Sequence, residues 1–177
     1  MWCTEADHGE WRPVNTAQEL HSVAVECQPS IVLIWCRIAD ALGLEIFDNL
    51  DDLTASGMVG LLLGPTKKLE DIVKKAKKNA DAKHPFAKII DVVRCRFVCQ
   101  QAVHMRQILD LLEAEPGVRI VRFKNFFAEK DEINFRRFAA TVEFEISPTL
   151  RHVAEVQIQL RDIYVFRQTR EDLAYYP

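Results

Sequence analysis

Two acidic residues and several basic residues lie in segments that have the pattern of β-strands, at spacings that bring them together. Asp91 begins the segment that carries Arg94 and Arg96, and Glu155 and Gln157 lie two residues apart in a later segment. Residues two apart on a strand point to the same face of a sheet. Arginine and lysine bind phosphate oxygens, and carboxylates hold the accompanying Mg²⁺. These residue types predict a site for a nucleotide triphosphate with its Mg²⁺.

Further basic residues extend the predicted charged face. Arg122 and Lys124 share one side of another strand, so Arg94, Arg96, Arg122 and Lys124 would be cations on neighbouring strands, with Glu155 and Asp91 as their counter-charges. The plainer interpretation is a half-exposed antiparallel sheet whose outer face is solvated.

A lysine-rich segment offers a second group of cations. Lys67 and Lys68 stand at the start of a predicted helix, where backbone N–H groups and the helix dipole favour an anion. This pair either extends into solvent or contacts a phosphate. The later lysines of the segment are interpreted as a solvated helix face: Lys74, Lys75, Lys77 and Lys78.

The hydrophobic pattern places helices first and strands second along the chain. After a loose lead-in over residues 1–14, helices are predicted over 17–27, 31–44, 67–80 and 101–113, with Gln28-Pro29-Ser30 separating the first two and Thr66 as the N-cap of the third. Strands are predicted over 89–99, 118–124, 137–146 and 152–160, and a closing helix from residue 161. Alternation on the last two strands predicts one apolar face for helices and one charged face.

Composition and charge restrict the class of protein. An apolar content of 49% in 177 residues supports a hydrophobic core, and a net charge of −3 gives no global attraction to nucleic acid. No secretory signal is recognisable, and the longest apolar run is too short to span a bilayer. Five cysteines without paired spacing are typical of reduced thiols. We therefore expect a cytoplasmic protein that binds neither membrane nor nucleic acid directly.

Five short segments occur in an order that resembles the synthetase domain of the RelA/SpoT family: GPTKKLEDIVKKAKK, IIDVVRCRFVC, VRFKNFF, INFRRFAATVEFEI and HVAEVQIQLRDIY. The resemblance implies a nucleotidyltransferase-like α/β fold, with a mixed five-stranded sheet and flanking helices over residues 61–177, preceded by a helical extension over 1–60. It implies transfer of pyrophosphate from ATP to the ribose 3′-oxygen of GDP, GTP or another purine nucleotide, which makes guanosine alarmones. The resemblance leaves open whether the protein forms a homo-oligomer.

The resemblance also implies a role for each candidate residue. Asp91 and Glu155 would be the Mg²⁺ ligands and the catalytic residues, Glu155 drawing the proton from the attacking hydroxyl. Lys67 or Lys68, and Arg96 or Arg94, would contact the donor phosphates. The remaining nucleotide-binding positions would be Arg122 and Lys124 on the phosphates, Gln157 beside the glutamate, and Phe135 stacked on guanine.

Departures from the family pattern support an alternative interpretation. Asn134–Phe135 replaces the usual Gly-Tyr pair, Gln159 stands where the family usually has arginine, and Ala139 and Ala140 cannot hydrogen-bond a base. The alternative is a catalytically inactive RelA/SpoT-like fold that serves as a nucleotide-binding or protein-interaction module.

Overall fold

A computed structural model describes residues 3–5, 11–55, 57, 59–128 and 136–165. The helices in these ranges are α1 (Ala17–Ala41), α2 (Leu50–Ala55), α3 (Leu69–Lys78) and α4 (Ala102–Ala114). The strands are β1 (Cys3–Glu5), β2 (Trp11–Pro13), β3 (Ile46–Phe47), β4 (Gly60–Leu63), β5 (Arg94–Cys99), β6 (Val118–Asn125), β7 (Phe138–Ser147) and β8 (Leu150–Leu160).

The strands form one mixed sheet in which the long strand β8 is central. Its main path runs β6-β7-β8-β5-β4-β3, and the β1–β2 pair attaches to the start of β8. β5 pairs with β8 in parallel and β3 with β4 in parallel, whereas β4–β5, β6–β7 and β7–β8 are antiparallel. The predicted mixed sheet with flanking helices is confirmed, although its described part holds eight strands and not five. The four strands that the hydrophobic pattern did not predict are β1, β2, β3 and β4. They have two to four residues each, too few to show a period-two pattern.

One face of the sheet packs against α1, as the alternation on β7 and β8 predicts. Ala140, Val142 and Phe144 of β7 and their counterparts on β8 are buried, and the Trp35 ring of α1 meets Phe144 edge-on with the centroids 6.0 Å apart. Full burial of a large apolar side chain stabilises a fold by about 1.5–3 kcal/mol. Residues of α1 therefore share one core with the sheet, while the division of the chain at residue 60 stays a prediction.

The predicted break between two N-terminal helices is wrong, because α1 continues through Pro29. A proline inside a helix removes one hydrogen bond and costs about 3 kcal/mol. The buried positions Cys27, Ile31, Trp35 and Ile38 keep helical spacing across it, and their packing outweighs that cost. Of the helices in the described ranges, α1 alone has the length and apolar composition to cross a membrane, a test that core helices of soluble proteins also pass.

Several boundaries differ from the sequence-based expectations. β5 begins at Arg94 because residues 92 and 93 form a bend, and α3 is capped by Lys68 while Thr66 contacts Gln28. His152, at the start of the predicted strand 152–160, is buried. The lead-in contributes strands β1 and β2. The closing helix is seen over residues 161–165, and its remainder lies outside the described residues.

Candidate functional site

The first row of register partners across the charged face centres on Glu155. Arg122 of β6 lies opposite Thr141 of β7, Thr141 opposite Glu155 of β8, and Glu155 opposite Arg94 of β5. Register partners on neighbouring strands point to the same face. The half-buried glutamate thus stands between a basic residue on β5 and another on β6.

The second row carries the remaining cations of the sheet. Lys124 of β6, Ala139 of β7, Gln157 of β8 and Arg96 of β5 follow one another in register. The expectation of cations on neighbouring strands is wrong, because β7 and β8 separate β6 from β5. At a strand spacing of about 4.8 Å the two basic groups lie roughly 14 Å apart. The face therefore has two cationic sides with Glu155 between them.

Three side chains on this face are joined by hydrogen bonds. The guanidinium of Arg96 donates from Nε and Nη2 to Gln157 Oε1, at 3.2 and 3.0 Å, and Gln157 Nε2 donates to Glu155 Oε2 at 2.9 Å. The guanidinium also lies over the ring of buried Tyr164, 5.2 Å from its centroid, in a cation–π contact. Arg96 and Glu155 are therefore held in fixed relative positions through one amide.

A cavity of about 360 Å³ opens beside Arg96. Its walls come from the end of β4, the start of β5, Gln157 and the segment before α2, and include Leu62, Gly64, Pro65, Arg94, Arg96 and Asp48. A Cβ at residue 64 would stand 2.8 Å from Arg94 Cγ and 2.9 Å from its carbonyl oxygen, so only glycine lets the two segments approach this closely. The cavity is concave and its wall carries two arginines, which suits an anionic ligand.

Asp91 has different partners from those expected. Its carboxylate forms ion pairs with Lys67 and with Lys75, the latter at 2.7 Å, and the backbone N–H of Lys67 donates to the carbonyl of Val92. Burial raises the pKa of Asp91, but the hydrogen bonds and charges of the two lysines outweigh burial and leave the pKa below its ordinary value. The sheet cations are thus not its counter-charges, and Lys75 is not merely part of a solvated helix face.

The β6 side of the face is the more open. Arg122 and Lys124 are exposed, and the Lys124 ammonium lies 5.6 Å from the centroid of the Phe126 ring. Lys68 is also exposed, at the cap of α3. Phe135, predicted to stack on a base, lies outside the described residues. A ligand bound between the two sides would therefore meet Arg122 and Lys124 at its accessible end.

Two contributors were missed by reasoning from sequence. Lys75 lies next to Ala76, which is buried, and its position at the border of the apolar face was the signal that it points toward the protein. Tyr164 lies in the segment after β8, and no local pattern distinguishes an aromatic ring under an arginine from an ordinary core residue. The thiols of Cys95 and Cys99 are buried, and burial raises their pKa values, that of Cys99 to about 12.

A backbone hydrogen bond links the segments that carry the two predicted metal ligands. The N–H of Glu155 donates to the carbonyl of Val93 at 3.0 Å, and Asp91 precedes Val93 by two residues. Within the described ranges there is no cluster of three or more His, Cys, Asp or Glu side chains that would hold a metal alone. Mg²⁺ commonly uses one or two carboxylates together with water and substrate phosphates. The available carboxylate ligands therefore fit Mg²⁺ that binds together with a nucleotide, and not a metal that is bound by the protein alone.

Comparisons with known proteins identify the family and the fold. The family model described as "Region found in RelA / SpoT proteins" matches residues 64–175. The fold is similar to that of small alarmone synthetase 1 from Bacillus subtilis bound to its product pppGpp, with a TM-score of 0.66, 17% identity, and coverage of 89% of this chain and 79% of that chain.

Two further structures show the same fold. A GTP pyrophosphokinase family protein from Streptococcus pneumoniae has a TM-score of 0.58 at 15% identity, with 84% of this chain and 74% of that chain covered. Small alarmone synthetase 1 from Bacillus subtilis bound to AMPCPP has a TM-score of 0.51 at 15% identity, with 84% and 76% covered. No curated protein sequence matches this chain.

Proposed function

The chain belongs to the RelA/SpoT family, and we propose that it is a Mg²⁺-dependent pyrophosphokinase that transfers pyrophosphate from ATP to the 3′-hydroxyl of a guanine or other purine nucleotide. The observation that carries this proposal is the hydrogen-bonded series of Arg96, Gln157 and Glu155 beside a cavity of about 360 Å³. It supports the proposal because Glu155 can act as a base and the cavity beside Arg96 can receive the donor.

The two cationic sides of the face suit a reaction between two nucleotides. Donor phosphates would lie along β5 against Arg94 and Arg96, and acceptor phosphates along β6 against Arg122 and Lys124. Glu155 lies between them on β8, so an acceptor hydroxyl can approach the donor there. The pppGpp and AMPCPP bound to the Bacillus subtilis proteins support nucleotides as partners.

The proposed step forms one P–O bond and breaks another. The acceptor 3′-oxygen attacks the β-phosphorus of ATP, the bond from that phosphorus to the α,β-bridging oxygen breaks, and AMP leaves. Glu155 accepts the hydroxyl proton, while Arg94, Arg96 and Lys67 offset charge on the phosphates. Asp91 and Glu155 would hold Mg²⁺, which would supply further charge neutralisation. Phosphoryl-type transfer requires mainly this positioning and neutralisation.

A direct assay tests the proposal. The protein is incubated with Mg²⁺, ATP labelled in its β-phosphate, and GDP, GTP or AMP, and the nucleotides are separated. We expect label to move to an acceptor, and we expect Glu155→Gln to lower the rate at least about 100-fold. Glu145→Gln, on an exposed residue of β7 paired with Arg151, is the matched control and should keep the activity. No transfer to any purine nucleotide would contradict the proposal.

One observation favours the second candidate, an inactive nucleotide-binding or interaction module. Gln159, where the family usually has arginine, is fully buried on the site face, and its side-chain amide has no hydrogen-bond partner among the described residues. The site therefore has one cation fewer than its relatives. Nucleotide binding without product in the assay would select this candidate. The cytoplasmic location and the absence of membrane and nucleic-acid partners stay predictions.

A further inference from the structure

The ion pairs around Asp91 leave little room for a metal ion in the free protein. The carboxylate is 13% exposed and is paired with Lys67, which is 12% exposed, and with Lys75, which is 39% exposed. Two ammonium groups thus face one carboxylate, and the cluster carries a net positive charge. A divalent cation that approaches Asp91 alone is attracted only weakly, because the two ammonium groups already offset the negative charge of this carboxylate.

A nucleotide changes this balance. A triphosphate carries several negative charges, and lysine ammonium groups bind phosphate oxygens as point charges on flexible stems. Lys67 is fixed by its backbone hydrogen bond to Val92, and Lys75 by α3, whose neighbouring residues Ile72 and Ala76 are buried. Only the two side chains need to turn for the carboxylate to be released.

We infer that Lys67 and Lys75 occupy the Asp91 carboxylate in the free protein and transfer to the donor phosphates on binding, so that Asp91 takes Mg²⁺ only together with the nucleotide. This inference rests on the proposed function in one respect, namely that the donor is a nucleotide with its phosphates near Asp91. Lys75 thereby becomes a donor-phosphate residue, and the free protein is protected from binding divalent cations at this position.

The first experiment measures metal binding without nucleotide. Mn²⁺ replaces Mg²⁺, and its binding is followed by electron paramagnetic resonance. We expect wild-type protein to bind Mn²⁺ at least about 10-fold more weakly than the Lys67→Gln/Lys75→Gln variant. That gain should disappear when Asp91→Asn is added. A wild-type protein that binds Mn²⁺ as tightly as the double variant would overturn the inference.

The second experiment measures nucleotide binding without metal. AMPCPP binding in EDTA is followed by calorimetry, and we expect Lys75→Gln to weaken it about 10-fold, whereas Lys75→Arg keeps most of the affinity. Lys77→Gln, on an exposed lysine of the same helix, is the matched control and should change nothing. Equal affinities of the Lys75→Gln and Lys77→Gln variants would refute the role of Lys75.

These outcomes are independent of the transfer reaction. A protein that meets both expectations but transfers no label would contradict the proposed function and leave the inference standing. If Lys67→Gln/Lys75→Gln is shown by thermal melting to be unfolded, the single Lys75→Gln variant decides the first experiment, because it also removes one of the two ammonium groups. We expect the Mn²⁺ affinity of Lys75→Gln to exceed that of the wild-type protein, because one ammonium group less competes for the Asp91 carboxylate.

Discussion

Gln157 makes hydrogen bonds to both of the charged side chains that the proposed reaction uses. Its carbonyl oxygen accepts two N–H groups of Arg96 and its amide nitrogen donates to Glu155. An amide is the side chain that can do both, because it carries an acceptor and a donor on one planar group. The residue therefore positions Arg96 and Glu155 relative to one another.

Replacing this amide should lower turnover more than donor binding. Gln157→Leu keeps a similar volume but leaves both partners without their hydrogen bonds, and we expect kcat to fall about 10- to 100-fold with a smaller rise in the KM for ATP. Gln157→Glu places a second carboxylate beside Glu155. It should therefore shift the acid limb of the pH–rate profile to higher pH, because like charges raise the pKa of a carboxyl group.

The control for these variants is Gln107→Leu, on an exposed residue of α4 away from the charged face. Its steady-state constants should match those of wild type. If Gln157→Leu raised KM while kcat stayed unchanged, Gln157 would be a simple binding residue and not a positioning one.

The element that departs most from the sequence-based prediction is α1. Its apolar stripe continues past Pro29, which is exposed, and the helix keeps its packing on the sheet. The helix-breaking tendency of Gln28, Pro29 and Ser30 is outweighed by the packing of the buried apolar residues on both sides of them. Helix-breaking propensity is a local cost, and tertiary packing overrides it when enough apolar area is buried.

Pro29 should therefore lower the stability of the protein without breaking α1. Replacing it by alanine restores a backbone N–H donor inside α1, and we expect Pro29→Ala to raise the free energy of unfolding by about 1–3 kcal/mol, measured by urea denaturation. Ser30→Ala, at an exposed neighbouring position, is the control and should change stability much less. A loss of stability in Pro29→Ala would mean that the helix needs the bend that proline provides.

The local sequence pattern was sufficient to predict which side chains of β7 and β8 face the core. It was insufficient to predict how β8 pairs with β5. Alternating polarity gave the faces of both strands, and so placed Glu155 and Gln157 on the charged side. The parallel pairing of β5 with β8 joins Arg96 to Gln157, residues far apart in sequence, and no local signal encodes such a contact. For the same reason, the lysine partners of Asp91 depend on how α3 packs and were not foreseen.

The whole molecule is slightly acidic, yet its sheet gathers cations on one face. The net charge is −3, so a global field would repel a triphosphate, and binding depends on the local arrangement of Arg94, Arg96, Arg122 and Lys124. The exposed lysines of α3 contribute to the same net charge but do not lie in this face. The position of the positive charge, and not its sum, should therefore decide affinity.

Two double charge-reversal variants test whether the position or the sum of the positive charge decides the affinity for a triphosphate. Arg96→Glu/Lys124→Glu and Lys77→Glu/Lys78→Glu change the net charge equally. We expect the first to weaken triphosphate binding at least about 10-fold, since hydrogen bonds to charged groups are worth about 1.5–3 kcal/mol each, and the second less than about 3-fold. Isothermal titration at fixed ionic strength measures both. Equal losses would mean that the phosphates bind along the exposed lysines Lys77 and Lys78 or that binding is diffuse.

The position of β8 in the sheet determines when the site can exist during synthesis. β8 follows every other described strand in sequence, yet it is the strand that joins β5 to β7. Until it emerges from the ribosome, the β4–β5 and β6–β7 pairs are separate ribbons, each with an open edge able to add a foreign strand. We therefore expect the nascent chain to be most prone to aggregation just before β8 inserts, and a chaperone that shields open edges would act in that interval.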